Sequence, residues 1–165
     1  MAKIRLGISA CLLGENVRYD GGHALNEYLR NVLGRRVEYL PVCPEAGCGL
    51  GIPRETMRLT GDIAKPLLIT TGTKIDHTQK MENWARNKMT ELASESLRGF
   101  IFKSRSPSCG MERVKVYDAN EMFQEVGVGI LARIFREYFP LLPVADETRL
   151  QNQALRQDFL RQIFA

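Results

Sequence analysis

No stretch of this 165-residue chain approaches the roughly 20 consecutive apolar residues of a membrane-crossing helix. The N-terminal residues 1–9 run straight into a strand-like pattern and lack the longer apolar region and small-residue cleavage site of a signal peptide, so a cytoplasmic placement is expected. There is no Cys-x-x-Cys pair among the four cysteines, and the two histidines, His23 and His77, have no paired ligand spacing. Both absences argue against an ordinary zinc finger or ribbon. Gly47, Gly49 and Gly51 follow Cys43, Pro44 and Glu45 instead of opening a capped helix, so the dinucleotide fingerprint is missing too. Charge of one sign is barely in excess, with 23 basic against 19 acidic residues and a net +4 at pH 7. That balance permits an anionic ligand without requiring one. No internal repeat or low-complexity linker breaks the chain.

What remains is ordinary globular material, 44% hydrophobic and 25% charged, long enough for one domain with a real core. Alternation around Ile4, Leu6 and Ile8 predicts a strand over 3–9, just before Cys11. Leu25, Tyr28, Leu29, Val32 and Leu33 fall at helical spacing, with Gly34 placed to end the helix. A strand over 36–42 delivers Cys43, Pro44 and Glu45, and the following Gly47, Gly49, Gly51 and Pro53 demand a long turned loop. A short extended pair is expected over 56–60 and 66–70. Asp76 or Thr78 caps a helix carrying Met81, Trp84, Ala85, Met89 and Leu92, which ends near Leu97. Gly99 releases a strand over 100–103, then comes the polar loop 104–110 and a strand over 113–117. Residues 120–139 read as a helix loosened at Gly127 and Gly129 and closed by Pro140 and Pro143. The expected organisation is a domain over 1–145 followed by an amphipathic C-terminal helix over 146–165. Strands alternating with helices predict the α/β class, a three-layer Rossmann-like architecture whose open, mostly parallel sheet is flanked by helices.

The consequence concerns the cysteines. Cys11, Cys43 and Cys109 each come shortly after an expected strand, and the carboxyl ends of parallel strands share one crest, where ligands bind. Three thiols far apart in sequence then converge. Converging thiolates can hold a soft metal, either zinc or an iron-sulfur cluster, and spacing decides only weakly between them. Any one of these cysteines taken alone is equally well explained as an inert buried thiol. Glu45 would place a carboxylate beside the metal, able to move protons for a water nucleophile. Ser104, Ser106 and Ser108 supply hydroxyls and Arg105 a cation to one loop, suited to polarising a carbonyl-like group or holding an anion. The same Ser-Pro pairs also make plain turns. Arg18, Tyr19 and Asp20 form another polar turn close to Cys11. Asp76 and His77 are explained by a helix N-terminus, and Trp84, Met81 and Met89 by core packing.

Residues Ile8 to Gly14 with Arg18 to Gly21, Val42 to Glu45, and Lys103 to Gly110 closely resemble the family long labelled domain of unknown function 523. Its characterised type is the thiouracil desulfurase, also called desulfidase, and the resemblance reaches to about Pro143. It implies a 4Fe-4S cluster held by Cys11, Cys43 and Cys109, with the fourth iron free for the sulfur of a thiolated uracil. Water would replace that sulfur at the ring carbon without net redox change. Glu45 matches the family's acid/base glutamate, and a loop serine is its polar partner, Ser106 first and Ser104 second. Ser108, Arg105, Arg18 and Asp20 are the candidate substrate contacts.

Segments 49–55 and 110–117 look more like the branch fused to a second domain, of unknown function 1722, which includes enzymes proposed to act on 4-thiouridine in transfer RNA. Because the chain stops where that domain would begin, the expected partner is a small thiolated pyrimidine, as base, nucleoside or nucleotide, ahead of transfer RNA. Two departures stand out: Val17 occupies a position near which the family often has cysteine, and Cys48 stands where another residue is expected. If Cys48 closed the open corner, the chain would be a non-catalytic iron-sulfur or metal-binding module with four cysteine ligands. A nucleotide-binding regulatory domain using the same cleft is a third possibility.

Overall fold

The computed structural model describes residues 2–165. In chain order the elements are β1 (Ile4–Ser9), α1 (Glu27–Asn31), β2 (Val37–Val42), α2 (Pro44–Gly47), β3 (Met57–Thr60), β4 (Leu67–Thr70), α3 (Thr78–Ala93), β5 (Leu97–Phe102), β6 (Val114–Tyr117), β7 (Phe123–Gly127), α4 (Ile130–Tyr138), β8 (Val144–Asp146) and α5 (Gln153–Phe164). Four strands form an all-parallel sheet in the order β2-β1-β5-β8. The chain leaves β1 towards β2 on one side and returns to β5 on the other, so β1 marks the point where the order reverses.

Side-chain alternation along the strands divides the core. Leu6, Ile8, Ile101 and Ala145 pack on one face with Leu29 from α1 and Phe159 and Ile163 from α5. Phe100 and Phe102 turn to the other face, against Met81, Ala85 and Met89 of α3 and Leu131, Ile134 and Phe135 of α4. The rings of Phe100, Phe102 and Phe135 form a stacked and edge-on cluster. Gly7 belongs to this arrangement, because a side chain there would occupy the space of the Phe100 ring. Helices on both faces of a parallel sheet give the expected α/β, Rossmann-like layering.

A second, mixed sheet in the order β4-β3-β6-β7 adds Leu59, Leu68, Val114 and Val116 to the core that contains α3 and α4. Its presence corrects one expectation. Residues 120–139 are not one helix: Phe123–Gly127 is strand β7, antiparallel to β6, and α4 begins only at Ile130. The Asp118 carboxylate accepts from the amides of Asn120 and Met122 and closes the hairpin. Pairing with β6 overrides the helix-forming composition of 121–126.

The tail differs as well. Val144–Asp146 joins the parallel sheet beside β5, and the last helix starts at Gln153, where the Asn152 side chain caps it by accepting from the Leu155 amide. Asp146 is therefore a strand residue, not a helical one. The first helix is also shorter than expected, beginning at Glu27 under an Asn26 cap. Of the two candidate caps, Asp76 accepts from the Thr78 amide at the start of α3, whereas Thr78 is the first helical residue and its hydroxyl accepts from Leu68 of β4 instead.

The start of α4 fixes the loop after β5. The amides of Gly129, Ile130 and Leu131, which have no partner inside the helix, donate to the carbonyls of Gly110, Pro107 and Ser108 at 2.7, 3.3 and 2.8 Å. This close approach needs a glycine: a Cβ on Gly129 would lie 2.6 Å from the Ser108 carbonyl carbon. Gly129→Ala is expected to destabilise the fold by about 1–3 kcal/mol through overpacking against backbone. Urea unfolding checks this, and a midpoint equal to wild type would show that the loop yields freely.

Candidate active site

β1, β2 and β5 are adjacent, and at about 4.8 Å per strand their carboxyl ends place three loops within about 10 Å. Ser9 lies level with Val42 in the parallel register, and the Lys103 amide donates to the Ser9 hydroxyl at 2.9 Å. The crest is thus held flush, and it hands on Cys11, Cys43 and Cys109. These three thiols line one cleft of about 350 Å³ together with Glu45, Arg18, Arg54, Lys103, Ser104, Arg105, Ser106 and Ser108. Its volume is in the range of small-molecule sites. The opposite wall comes from Glu55, Thr56 and Met57, on the way into β3.

Cys43 ends β2 and is the residue before α2, so the same turn that presents its thiol presents Glu45. The Glu45 carboxylate is held at both oxygens. Its Oε1 accepts from Ser108 Oγ at 2.9 Å, and its Oε2 accepts from Arg54 Nε at 3.0 Å and from Arg54 Nη2. Arg54 also donates to the carbonyls of Gly51 and Val17, both at 2.8 Å, tying the glycine-rich loop to the turn that follows Cys11. Ser106 Oγ accepts from the amides of Ser108 and Cys109 at 3.2 and 3.1 Å and lies 3.0 Å from Ser108 Oγ. Since Ser108 spends its proton on Glu45, the Ser106 hydroxyl donates to Ser108. Both serines therefore form a chain directed at Glu45.

Ser104 is engaged elsewhere. Its hydroxyl donates to Glu147 Oε2 at 2.9 Å and its amide to Oε1 at 2.7 Å, and Lys103 Nζ lies 2.8 Å from Oε2. Glu45 in the cleft and Glu147 behind Lys103 and Ser104 are thus each held by one cation and one serine hydroxyl. Arg18 and Arg105 line the cleft as well, and among the described residues neither makes an ion pair or a side-chain hydrogen bond. Asp20 does not line it: its carboxylate closes a local turn by accepting from the Gly22 amide at 2.9 Å, which corrects its expected place at the substrate.

Burial pushes all three cleft thiols up. Cys11 rises to about 11, with desolvation the main cause and the charges of Lys103 and then Arg18 pulling the other way. Cys43 is raised by desolvation, opposed by amide hydrogen bonds and by Arg54, and the fully enclosed Cys109 is raised furthest. Metal binding at such thiols displaces their protons and so works against this desolvation. Among the described residues no three Cys, His, Asp or Glu side chains gather closely enough for a single metal ion. A lone zinc with thiolates at about 2.3 Å would draw the sulfurs to within about 4 Å of one another. Thiols from three separate loops suit the corners of a multi-iron cluster. Cys48 is apart from the cleft: it ends α2, is buried, and its Sγ faces the Glu45 carbonyl oxygen at 3.6 Å.

The family model described as 2-thiouracil desulfurase matches residues 6–147, a span that contains every cleft residue named above. The chain belongs to the 2-thiouracil desulfurase family. A solved structure, the 4Fe-4S-dependent thiouracil desulfidase TudS, superposes with a TM-score of 0.72 at 28% identity, over 96% of this chain and 99% of that one. The uncharacterised protein YbbK of Bacillus subtilis (strain 168) is 30% identical over 108 residues, 62% of this chain and 71% of that protein. Among the described residues no helix is long and apolar enough to cross a membrane.

Sequence reasoning missed Arg54 and Glu147. Neither carries a local signal: each becomes a site residue only through a contact with Glu45 or with the Lys103 loop. Side-chain exposures of 6% for Arg54 and 15% for Glu45 make theirs a nearly buried pair. Removing one partner of such a pair is expensive, so Arg54→Ala is expected to lower stability by about 3–5 kcal/mol. Thermal or urea unfolding reads this, and a loss under about 1 kcal/mol would mean that water screens the pair as it does at a surface.

Proposed function

We propose that this chain removes sulfur from thiolated uracil derivatives by hydrolysis at a 4Fe-4S cluster held by Cys11, Cys43 and Cys109. The observation that carries the reading is the convergence of three thiols with Glu45 in one cleft. When bound, a cluster held at three corners supplies an iron with an open position, a Lewis acid suited to a thiocarbonyl sulfur. The protein's part is positioning and proton transfer. Glu45 takes a proton from the attacking water and delivers one to the departing sulfur, so that thiocarbonyl and water become carbonyl and hydrogen sulfide with no change in oxidation state.

Arg54 at Oε2 and Ser108 at Oε1 keep the Glu45 carboxylate aimed into the cleft. Ser106 stands behind Ser108 as the second hydroxyl of the chain, and Ser104 is engaged by Glu147. Arg18 and Arg105, with donors unspent on protein, are the contacts for a polar or anionic substituent on the pyrimidine, as nucleoside or nucleotide. The place of Cys48 outside the cleft supports three ligands rather than four.

The test is sulfide release from 2-thiouracil, 4-thiouracil and 4-thiouridine monophosphate after anaerobic cluster reconstitution, with iron measured on the same sample. Release in proportion to bound iron is expected. A full, stable cluster with no release from any of the three would overturn the enzymatic reading in favour of a binding module.

A further inference from the structure

Four cations reach the cleft, and two of them are held by protein acceptors. Arg54 serves Glu45 and two carbonyls. Lys103 has three N–H donors, and three acceptors surround its Nζ: Glu147 Oε2 at 2.8 Å, the Ser104 carbonyl at 3.2 Å and Ser104 Oγ at 3.3 Å. These contacts hold the ammonium beside Glu147 and Ser104. Its backbone is locked as well, because the Lys103 amide bonds to Ser9 at the end of β1, two residues before Cys11. Lys103 and Glu147 side chains are 21% and 13% exposed, so their charges are only partly screened by water.

We infer that Lys103, pinned by Glu147 and Ser104, is a fixed charge that sets the electrostatic environment of the cluster on its Cys11 side, and that Glu147 limits how much of that charge the site feels. The inference rests on the cluster reading above. Three thiolates and the Glu45 carboxylate bring like charges into one shielded cleft, and a pinned cation offsets them. Arg54 performs the matching service beside Cys43, where it is tied to the acid/base carboxylate. Lys103 is a positioning residue in this sense, since it acts through charge and not through contact with reacting atoms.

Charge near an iron-sulfur cluster shifts its reduction potential. That shift reads the local field even though the proposed reaction transfers no electrons. Wild type, Lys103→Met, Lys103→Arg and Glu147→Gln would be reconstituted anaerobically, their iron and acid-labile sulfide measured, and their midpoint potentials determined by redox titration followed by electron paramagnetic resonance. Lys103→Met is expected to shift the potential downward, Glu147→Gln upward, and Lys103→Arg to stay at the wild-type value. Opposite signs in the first and second variants are what a structural strut would not give. Equal shifts of the same sign, or none, would overturn the inference. If Lys103→Met fails to fold, the upward shift in Glu147→Gln decides alone. Folded wild type that takes up no iron would instead bring down the cluster reading itself, before any variant is compared.

Discussion

Glu45→Gln will cut sulfide release from thiouracil by about 10²–10⁴-fold while leaving iron content as in wild type. The substitution keeps the length and one acceptor oxygen, but an amide cannot take up a proton from water at neutral pH. Its nearest protein partners, Ser108 and Arg54, also lose the two-sided acceptor that both now use. The effect should fall on kcat more than on KM, because the lost proton transfer belongs to the chemical step. Steady-state kinetics on cluster-loaded protein tests this. Release within tenfold of wild type would remove Glu45 from the acid/base role.

The second large effect is expected at the cysteines, and it is selective. Cys11→Ser, Cys43→Ser and Cys109→Ser should each lose most of the reconstituted iron, because a serine hydroxyl is a harder and far less acidic ligand than a thiol. Cys48→Ser should retain it, since that side chain faces the Glu45 carbonyl and does not line the cleft. Cys109 is buried within the α3/α4 core, so circular dichroism on each variant must separate a lost ligand from a lost fold. Loss of iron in Cys48→Ser, with the fold intact, would establish a closed four-cysteine site and end the desulfuration mechanism.

The parallel sheet and the meeting of the cysteines were legible because both follow from periodicity and from one topological rule. Apolar alternation located β1, Gly34 and Gly99 marked where β2 and β5 could begin, and parallel order placed whatever follows them on one crest. The hairpin β6–β7 was not legible, for residues 121–126 combine helix-forming side chains with a strand role that only the neighbouring β6 confers. Val144–Asp146 was lost for the same reason: three residues of strand are too few to show a period, and pairing with β5 defines them. At the site, the loop serines were visible as a group, but their order was not. Which hydroxyl reaches Glu45 depends on the turn from 106 to 109, in which Ser106 spends its oxygen on two amides and leaves Ser108 in front. Arg54 and Glu147 could not be read at all, because a surface-type charged residue and a site residue look alike until the chain is folded.

The strand order has a consequence for how the protein comes into being. Cys43 and Cys109 flank Cys11 in space, yet between them in sequence lie the whole of α2, β3, β4, α3 and β5. The three thiols cannot be neighbours until β5 has closed against β1, a long-range pairing that carries a loop-closure penalty and belongs late in assembly. The aromatic cluster of Phe100, Phe102 and Phe135 and the aliphatic residues on the other face supply the driving force for that closure from ordinary hydrophobic burial. The chain is therefore expected to fold first and take up iron afterwards, unlike a small finger domain, whose zinc has to be present for its chain to fold.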